Sequence, residues 1–314
     1  MAGRRCLVPV AARIDAVTTH SFQIEAALIG RGIQASLTPA MHMAEGRAQG
    51  LDYRYELFDL DNFEGGVALA EALLADAQRR GFRGLNITHP CKQQMIPFLD
   101  VLSEEAAVLG AVNTVVLRDD RREGHNTDWW GFAESLRRGL PGADLTSVVQ
   151  LGAGGAGAAT AFAILRSGAA ALTIFDQEEM RASALVENMQ RHFKNAEISV
   201  VTDLPAAMAG ASGLVHATPT GMANYPGLPM PADLLRPSQW VAEIVYFPLN
   251  TELVIEARRR GCRVLDGGGM AVFQAVKAFE LFTGIKPDVE RMLQHFADLT
   301  RGAAKPILAA GGLR

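Results

Sequence analysis

The sequence predicts an α/β protein built in two lobes, and three observations carry that prediction. At 314 residues the chain is long enough for two domains. Strand-like and helix-like segments alternate along both halves, and the alternation restarts after a Leu140-Pro141-Gly142 turn. In the first half, Phe22 to Gly30 is an apolar run ending in glycine, followed by a loop and a helix beginning near Pro39. Tyr53 to Phe58 reads as a second strand and Gly66 to Arg80 as a helix with apolar residues at helical spacing. Phe82 to Thr88 is a third strand and Ala111 to Leu117 a fourth, with a helix from Leu99 to Leu109 between them. Strands separated in this way imply a largely parallel sheet covered on both faces.

The second half repeats the pattern with shorter connections. Strands are expected at Ser147–Leu151, Ala171–Phe175, Ile198–Val201, Gly213–Ala217, Trp240–Val245 and Arg263–Leu265. Helices are expected at Gly155–Ser167 and Met180–His192, and in the tail at Met270–Thr283 and Val289–Leu299. The lobes divide at the proline-glycine turn or just before the helix that precedes it. We take residues 1–127 as a substrate domain, with helices from 270–314 packing back on it, and residues 128–269 as the second domain. A cleft between such lobes is where ligands sit.

Composition excludes several function classes. A net charge of −4 with scattered Lys and Arg offers no footprint for nucleic acid, and aromatics, at 7%, are too few for base stacking. Cys6, Cys91 and Cys262 lie far apart with no CxxC pair, which suits a reducing, cytoplasmic setting and predicts neither disulfide scaffold nor metal site. Leu145 to Leu165 carries no charge and approaches the length of a membrane span, but four glycines interrupt it, so a strand, a turn and a buried helix explain it better. The first 20 residues lack an apolar core before a cleavage site and read as a loosely ordered extension rather than a signal peptide.

Gly152-Ala153-Gly154-Gly155-Ala156-Gly157 fits GxGxxG and stands directly between a predicted strand and a predicted helix. The first glycine permits the tight turn, the second lets backbone approach a pyrophosphate, and the third lets helix and strand pack closely. Amides freed at the helix start then face the anion. Asp176 ends the next strand, 19 residues after Gly157, where a carboxylate would accept hydrogen bonds from an adenosine ribose. The second lobe is therefore predicted to be a Rossmann-type dinucleotide-binding domain. A carboxylate beside a 2′-phosphate would oppose like charge, so NAD is favoured over NADP; Arg181 is the one nearby cation that could compensate, and it reads more simply as a solvated helix charge.

Four short segments carry unusual polar density for loops at strand ends. In Ser36-Leu37-Thr38-Pro39, Thr38 reads as a helix N-cap, and with Ser36 it could also face a helix N-terminus as a carboxylate cradle. Strand alternation separates Asn86 and Thr88 from the buried positions around them, and Lys92 follows in a proline-broken loop. Asn113-Thr114 and Asn126-Thr127-Asp128 complete the set, with Asp128 placed to stabilise a helix N-terminus. Singly, each has an ordinary structural explanation.

Together, in this order and spacing, the segments resemble the shikimate/quinate dehydrogenase family from about Ile24 to Leu299. The resemblance runs through Ser36-x-Thr38-Pro39, Asn86-Ile87-Thr88-x-Pro90-x-Lys92, Gly110-Ala111-Val112-Asn113-Thr114 and Asn126-Thr127-Asp128. It continues through the glycine turn, Ala217-Thr218-Pro219-Thr220-Gly221-Met222, Tyr246, and Gly269-Met270 with Gln274. It implies hydride transfer between NAD and a ring hydroxyl of shikimate or quinate. Ser36 and Thr38 would hold the substrate carboxylate, with Tyr246 closing over it. Asn86, Thr88, Asn113, Asp128 and Gln274 would line the ring, and Lys92 with Asp128 would be the catalytic pair. Gly152, Gly154, Gly155, Ala156, Gly157, Asp176, Arg181, Thr218, Met222 and Gly269 would meet the cofactor.

Chemistry supports the pair independently. Oxidising a secondary alcohol needs a base for the hydroxyl proton while hydride leaves to the nicotinamide. A desolvated Lys92 can take that proton, whereas a neighbouring Asp128 favours the charged ammonium, so the expectation is a shared proton with Asp128 positioning Lys92. The chain also departs from the commonest family pattern. Thr38 replaces a second serine and Asp176-Gln177 replaces a basic patch, both like the NAD-using quinate/shikimate subgroup. His216 stands where many members carry asparagine, so the role of that position is open. His89, His125 and Cys91 flank the site without an evident part in it. Two other readings are carried: an aminoshikimate-type dehydrogenase using the same pocket, and a non-catalytic sensor of dinucleotide and ring acid, which would not require Lys92 and Asp128. The expected ligand is a small molecule, with no nucleic-acid or membrane partner, and a homodimer is compatible with the reading.

Overall fold

A computed structural model describes residues 23–303, so the expectation for residues 1–20 lies outside the described residues. The first lobe comprises β1 (Gln23–Gly30), α1 (Thr38–Ala48), β2 (Asp52–Asp59), α2 (Ala70–Arg79), β3 (Gly84–Ile87) and α3 (Cys91–Gln94). It continues with β4 (Val101–Leu102), α4 (Glu104–Leu109), β5 (Thr114–Arg118) and β6 (Arg121–His125). Then α5 (Asp128–Gly139) leads to β7 (Ser147–Leu151), α6 (Gly155–Arg166), β8 (Ala171–Phe175), α7 (Glu179–His192) and β9 (Glu197–Val200). After these come α8 (Leu204–Gly210), β10 (Gly213–His216), β11 (Trp240–Glu243), α9 (Glu252–Arg259) and β12 (Arg263–Leu265), and α10 (Gly268–Thr283) and α11 (Val289–Ala303) close the chain.

Two six-stranded sheets result. The second is wholly parallel in the order β12-β11-β10-β7-β8-β9, a doubly wound arrangement whose strand order reverses between β7 and β10. Helices cover both faces: Phe132, Phe162 and Leu172 fill one core layer, and Val149, Met208 and Leu253 the other. In the first sheet, ordered β2-β1-β3-β5-β6-β4, the near-continuous apolar run of β1 is buried on both sides. Phe279 and Phe282 of α10 pack with Ile24, Tyr53 and Val116 on one face, while Leu74 and Ala77 of α2 pack with Leu85 and Ile87 on the other.

The expectation of a largely parallel first sheet is corrected. β5 runs antiparallel to β3, and β6 antiparallel to β5. The hairpin turns at Asp119 and Asp120, both with positive φ (48° and 60°), the geometry that two-residue hairpin loops require. β6 has no apolar alternation to announce it, because Arg121 and Glu123 are exposed. The helix expected from Leu99 starts only at Glu104, where the Ser103 hydroxyl accepts the Ala106 N–H at 3.2 Å. Ahead of it, Val101–Leu102 pairs with β6 instead. The helix expected from Gly66 opens with a 3-10 turn and is regular only from Ala70.

On α1, His42 is fully buried, with Nδ1 2.8 Å from the Tyr53 hydroxyl and Nε2 without a hydrogen-bond partner among the described residues. Burial lowers its pKa from 6.5 to about 3. An unfolded chain takes up this proton once pH falls below 6.5, whereas the native state refuses it until near pH 3. Stability is therefore intact above pH 6.5 and lost on acidification through that interval, by about 2 kcal/mol between pH 6.5 and 5. Urea unfolding across this range is expected to show that slope, flattened in His42→Leu. Parallel slopes for the two proteins would refute the assignment.

Candidate active site

Topology gathers the polar segments. Because β1 and β3 are parallel, both carboxyl ends lie on one edge of the first sheet, where Arg31 N–H donates to the His89 carbonyl at 3.0 Å. The antiparallel hairpin then returns the start of β5 and the end of β6 to the same edge, with Thr114 paired to His125. Asn86, Thr88 and Lys92 at the end of β3, Asn113 ahead of β5 and Asp128 after β6 thus come from three places in the chain but occupy one rim.

Lys92, one residue into α3, places Nζ 2.6 Å from Asp128 Oδ2, with side-chain exposures of 25% and 10%. Asp128 opens α5, as the sequence suggests, but its carboxylate serves this contact rather than a cap. Its other oxygen accepts from Asn113 Nδ2 at 2.8 Å. That same amide lies 3.0 Å from Thr127 Oγ1 and 3.2 Å from Gln274 Oε1, bringing α10 to the rim. Asn113 Oδ1 accepts the Thr127 backbone N–H at 2.7 Å, which fixes the direction of the amide. Asn86 donates to Thr114 Oγ1 at 3.2 Å and accepts from the Tyr55 hydroxyl at 2.7 Å. The Lys92 ammonium has three donors, of which this network uses one, so the remainder can face a ligand.

α1 begins at Thr38 itself, so the expected N-cap role of Thr38 is corrected: Leu37 holds the cap position and no side chain caps the helix. Pro39 supplies a preset φ early in the first turn, and the Thr38 N–H reaches only Ser36 Oγ, at 3.4 Å. The Thr38 hydroxyl makes no hydrogen bond among the described residues, and neither does that of Thr88. From the other lobe, Tyr246 follows β11 and is 42% exposed. Desolvation, and then the charge of Asp128, raise its phenol pKa, so the hydroxyl end lies within electrostatic reach of Asp128 across the cleft.

The glycine turn joins β7 to α6. Gly152 has φ +103°, and a side chain on Gly157 would strike the Gly152 carbonyl. Around Gly154 and Gly155 the space a Cβ would enter is open, which leaves a backbone cradle at the start of α6. Ala156 lies within that first turn. The buried Gln150 secures the turn, donating to the carbonyls of Gly152 (2.9 Å) and Gly157 (2.8 Å) and accepting from Thr160 (2.9 Å). Asp176 accepts the Ala153 N–H at 2.7 Å, so its carboxylate borders the turn at the end of β8. A cavity of about 270 Å³ lies here, lined by Gln93 and Ala111 of the first lobe and Gly154, Gly155 and Arg181 of the second. An open cradle at a helix start with a carboxylate on the next strand fits a dinucleotide.

The remaining predicted residues divide. Arg181 is 57% exposed in the first turn of α7 and pairs with Glu178 at 2.8 Å. Thr218 follows β10 beside Gly152, and Met222 sits in an exposed turn closed by Tyr225. A side chain on Gly269 would meet Ser135 of α5, so that glycine lets two helices approach, as does Gly131, whose Cβ would stand 2.7 Å from the Gln274 nitrogen. Burial lowers the pKa of His125, which lies 3.5 Å from Glu123. Tyr55 and Gln150 are absent from the site expected from the sequence, and Thr127 enters it only within the Asn126-Thr127-Asp128 segment, with no role of its own. Only Gln150 carried a signal, a polar side chain in an apolar strand immediately before the glycine turn.

Two family models match the chain: the shikimate dehydrogenase substrate binding domain over residues 28–115, and the shikimate 5′-dehydrogenase C-terminal domain over residues 267–295. The chain is 55% identical over 279 residues to the shikimate dehydrogenase (NADP(+)) of Streptomyces avermitilis, covering 88% of this chain and 96% of that one. It is 48% identical over 276 residues to the quinate/shikimate dehydrogenase (NAD(+)) of Corynebacterium efficiens, covering 87% and 97%. Among solved structures, quinate dehydrogenase from Corynebacterium glutamicum in complex with NAD superposes with a TM-score of 0.85 at 44% identity, covering 88% of this chain and all of that one. No helix among the described residues is long and apolar enough to cross a membrane.

Proposed function

Since the chain belongs to the shikimate dehydrogenase family, we propose that it interconverts shikimate or quinate with the corresponding ring ketone, using NAD in preference to NADP. The observation that carries this reading is the 2.6 Å Lys92–Asp128 pair at the rim of an inter-lobe cleft, flanked by Asn86, Asn113 and Gln274. Ser36 and Thr38 hold the substrate carboxylate at the start of α1, where helix N–H groups add to their hydroxyls. Tyr246 covers it from the second lobe. Asn86, Thr88, Asn113 and Gln274 bind the ring hydroxyls and turn the reacting one toward Lys92. Lys92 and Asp128 share its proton, with Asp128 holding Nζ in place. The glycine turn and Asp176 would hold a nicotinamide cofactor, which would supply the hydride acceptor or donor for this step.

Asp176 supports NAD. Each of its oxygens takes one backbone N–H, from Ala153 and Glu178, and retains acceptor capacity for ribose hydroxyls. A 2′-phosphate there would face its charge, and Arg181 is engaged by Glu178. Relatives with either cofactor are found, so the discriminating measurement is direct. Asp176→Ala is expected to lower kcat/KM with NAD by about 10- to 100-fold, the loss of a charge-assisted hydrogen bond, and to affect NADP far less. An unchanged ratio of the two cofactors would remove Asp176 from specificity. The function as a whole is tested by steady-state rates on quinate, shikimate and aminoshikimate, each with NAD and NADP. Turnover of only the amino-substituted ring, or of none, refutes the proposal.

A further inference from the structure

His216 and Glu243 are the last residues of β10 and β11 and stand directly opposite each other in the sheet, both side chains fully buried. Glu243 Oε1 accepts the Val245 backbone N–H at 2.9 Å and Oε2 accepts the Thr251 hydroxyl at 3.0 Å. His216 Nδ1 lies 2.9 and 3.0 Å from the same two oxygens. With Glu243 acting only as acceptor, Nδ1 carries the hydrogen, and in the neutral ring Nε2 is left with a lone pair. Thr218 Oγ1, 2.6 Å from Nε2, must then donate inward. It also accepts the Thr220 N–H at 3.3 Å. Its remaining capacity is one acceptor site, with no hydrogen to offer.

The position of that site identifies what it meets. Thr218 Cγ2 borders Gly152, so the hydroxyl lies at the crevice between β7 and β10 where the strand order reverses. Asp176, the residue after β8, is placed by the dinucleotide reading on the adenosine side of this crevice. Thr218 is on the opposite side, toward the half of the dinucleotide that bears a carboxamide with two N–H donors.

We propose that the buried Glu243–His216 pair is a positioning device that holds the Thr218 hydroxyl inward, so that Thr218 presents only an acceptor to the nicotinamide carboxamide and fixes its rotation. The inference rests on the dinucleotide reading of the second lobe. His216 and Glu243 touch no ligand and act through Thr218. A carboxamide anchored in this way would help hold one ring face toward the substrate, and the two side chains sealed behind the site would contribute to that only through Thr218.

The test uses two readouts that need no turnover. In the intact enzyme labelled with ¹⁵N-histidine, long-range ¹H–¹⁵N correlation, assigned by the resonance lost in His216→Asn, is expected to show the Nδ1–H tautomer for His216. Calorimetry then compares whichever of NAD and NADP binds more tightly with its nicotinamide-free ADP-ribose counterpart. Thr218→Val and His216→Asn are expected to weaken the full dinucleotide by about three- to tenfold, the range for one hydrogen bond, and to leave the truncated ligand within about twofold. Thr218→Ser, which keeps the hydroxyl, retains wild-type affinity for both. An Nε2–H tautomer or a doubly protonated ring overturns the proposal, as does equal weakening of both ligands or of neither in Thr218→Val, a variant that keeps the Glu243–His216 bonds and removes only the hydroxyl on Nε2. Because these are binding and spectroscopic measurements, they stand apart from the rate assay that tests the dehydrogenase reading.

Discussion

Lys92→Ala is expected to lower kcat by about 10²- to 10⁴-fold while the KM for the ring acid changes by less than about tenfold. The residue contributes one ammonium to a rim that already offers Asn86, Asn113, Asp128 and Gln274, so much of the hydrogen bonding that orients the ring survives its loss. What disappears is the group proposed to exchange a proton with the reacting hydroxyl. Dinucleotide affinity, set mainly at the glycine turn, is expected to remain. Steady-state kinetics together with direct binding of the acid separate these effects. Near-normal turnover in Lys92→Ala would take Lys92 out of the chemistry altogether.

Asp128→Asn is expected to lower kcat/KM by about 10²- to 10³-fold although it changes neither size nor shape. Both carboxylate oxygens of Asp128 receive donors, Lys92 Nζ at 2.6 Å and Asn113 Nδ2 at 2.8 Å. An amide at this position must turn its NH₂ toward one of them, so one bond becomes a donor–donor conflict whichever way it rotates. Loss of a charge-assisted bond and an unsatisfied donor together account for that magnitude. Because the pair works as a unit, Lys92→Ala/Asp128→Asn is expected to be scarcely slower than Lys92→Ala alone. Additive losses in the double variant would mean that the two residues act independently.

The second lobe was largely legible in the sequence because its signals are local. Most of its parallel strands are largely apolar, as in β7, β8 and β11, and the glycine turn states its own geometry. The first lobe was less so. β6 is a charged strand recognised only by its partner, and no glycine or asparagine marks the Asp119-Asp120 turn that reverses it. At the site, Lys92, Asp128 and Asn113 were each ambiguous singly and became interpretable through their order along the chain. Thr38 shows where local logic fails: capping was the simpler reading, yet the helix starts one residue earlier and leaves that hydroxyl unbonded. Tyr55 supports the site from behind through its bond to Asn86, a contact that depends on tertiary packing and leaves no sequence pattern, whereas Thr127 lies in a visible motif but its bond to Asn113 does not follow from it.

The close approach of α5 and α10 at Gly131 and Gly269 has a mechanical consequence. The chain leaves the first sheet through α5 and returns to it through α10, so both crossings between lobes run along one tightly packed seam. A swing of one lobe relative to the other would turn about that seam, as a door turns about its pin. Asp128 and Gln274 ride on the pin itself, next to the axis, where displacement is smallest. The residues proposed for proton transfer would thus stay assembled while the glycine turn moved further, and a methyl group added at residue 131 would wedge the pin apart.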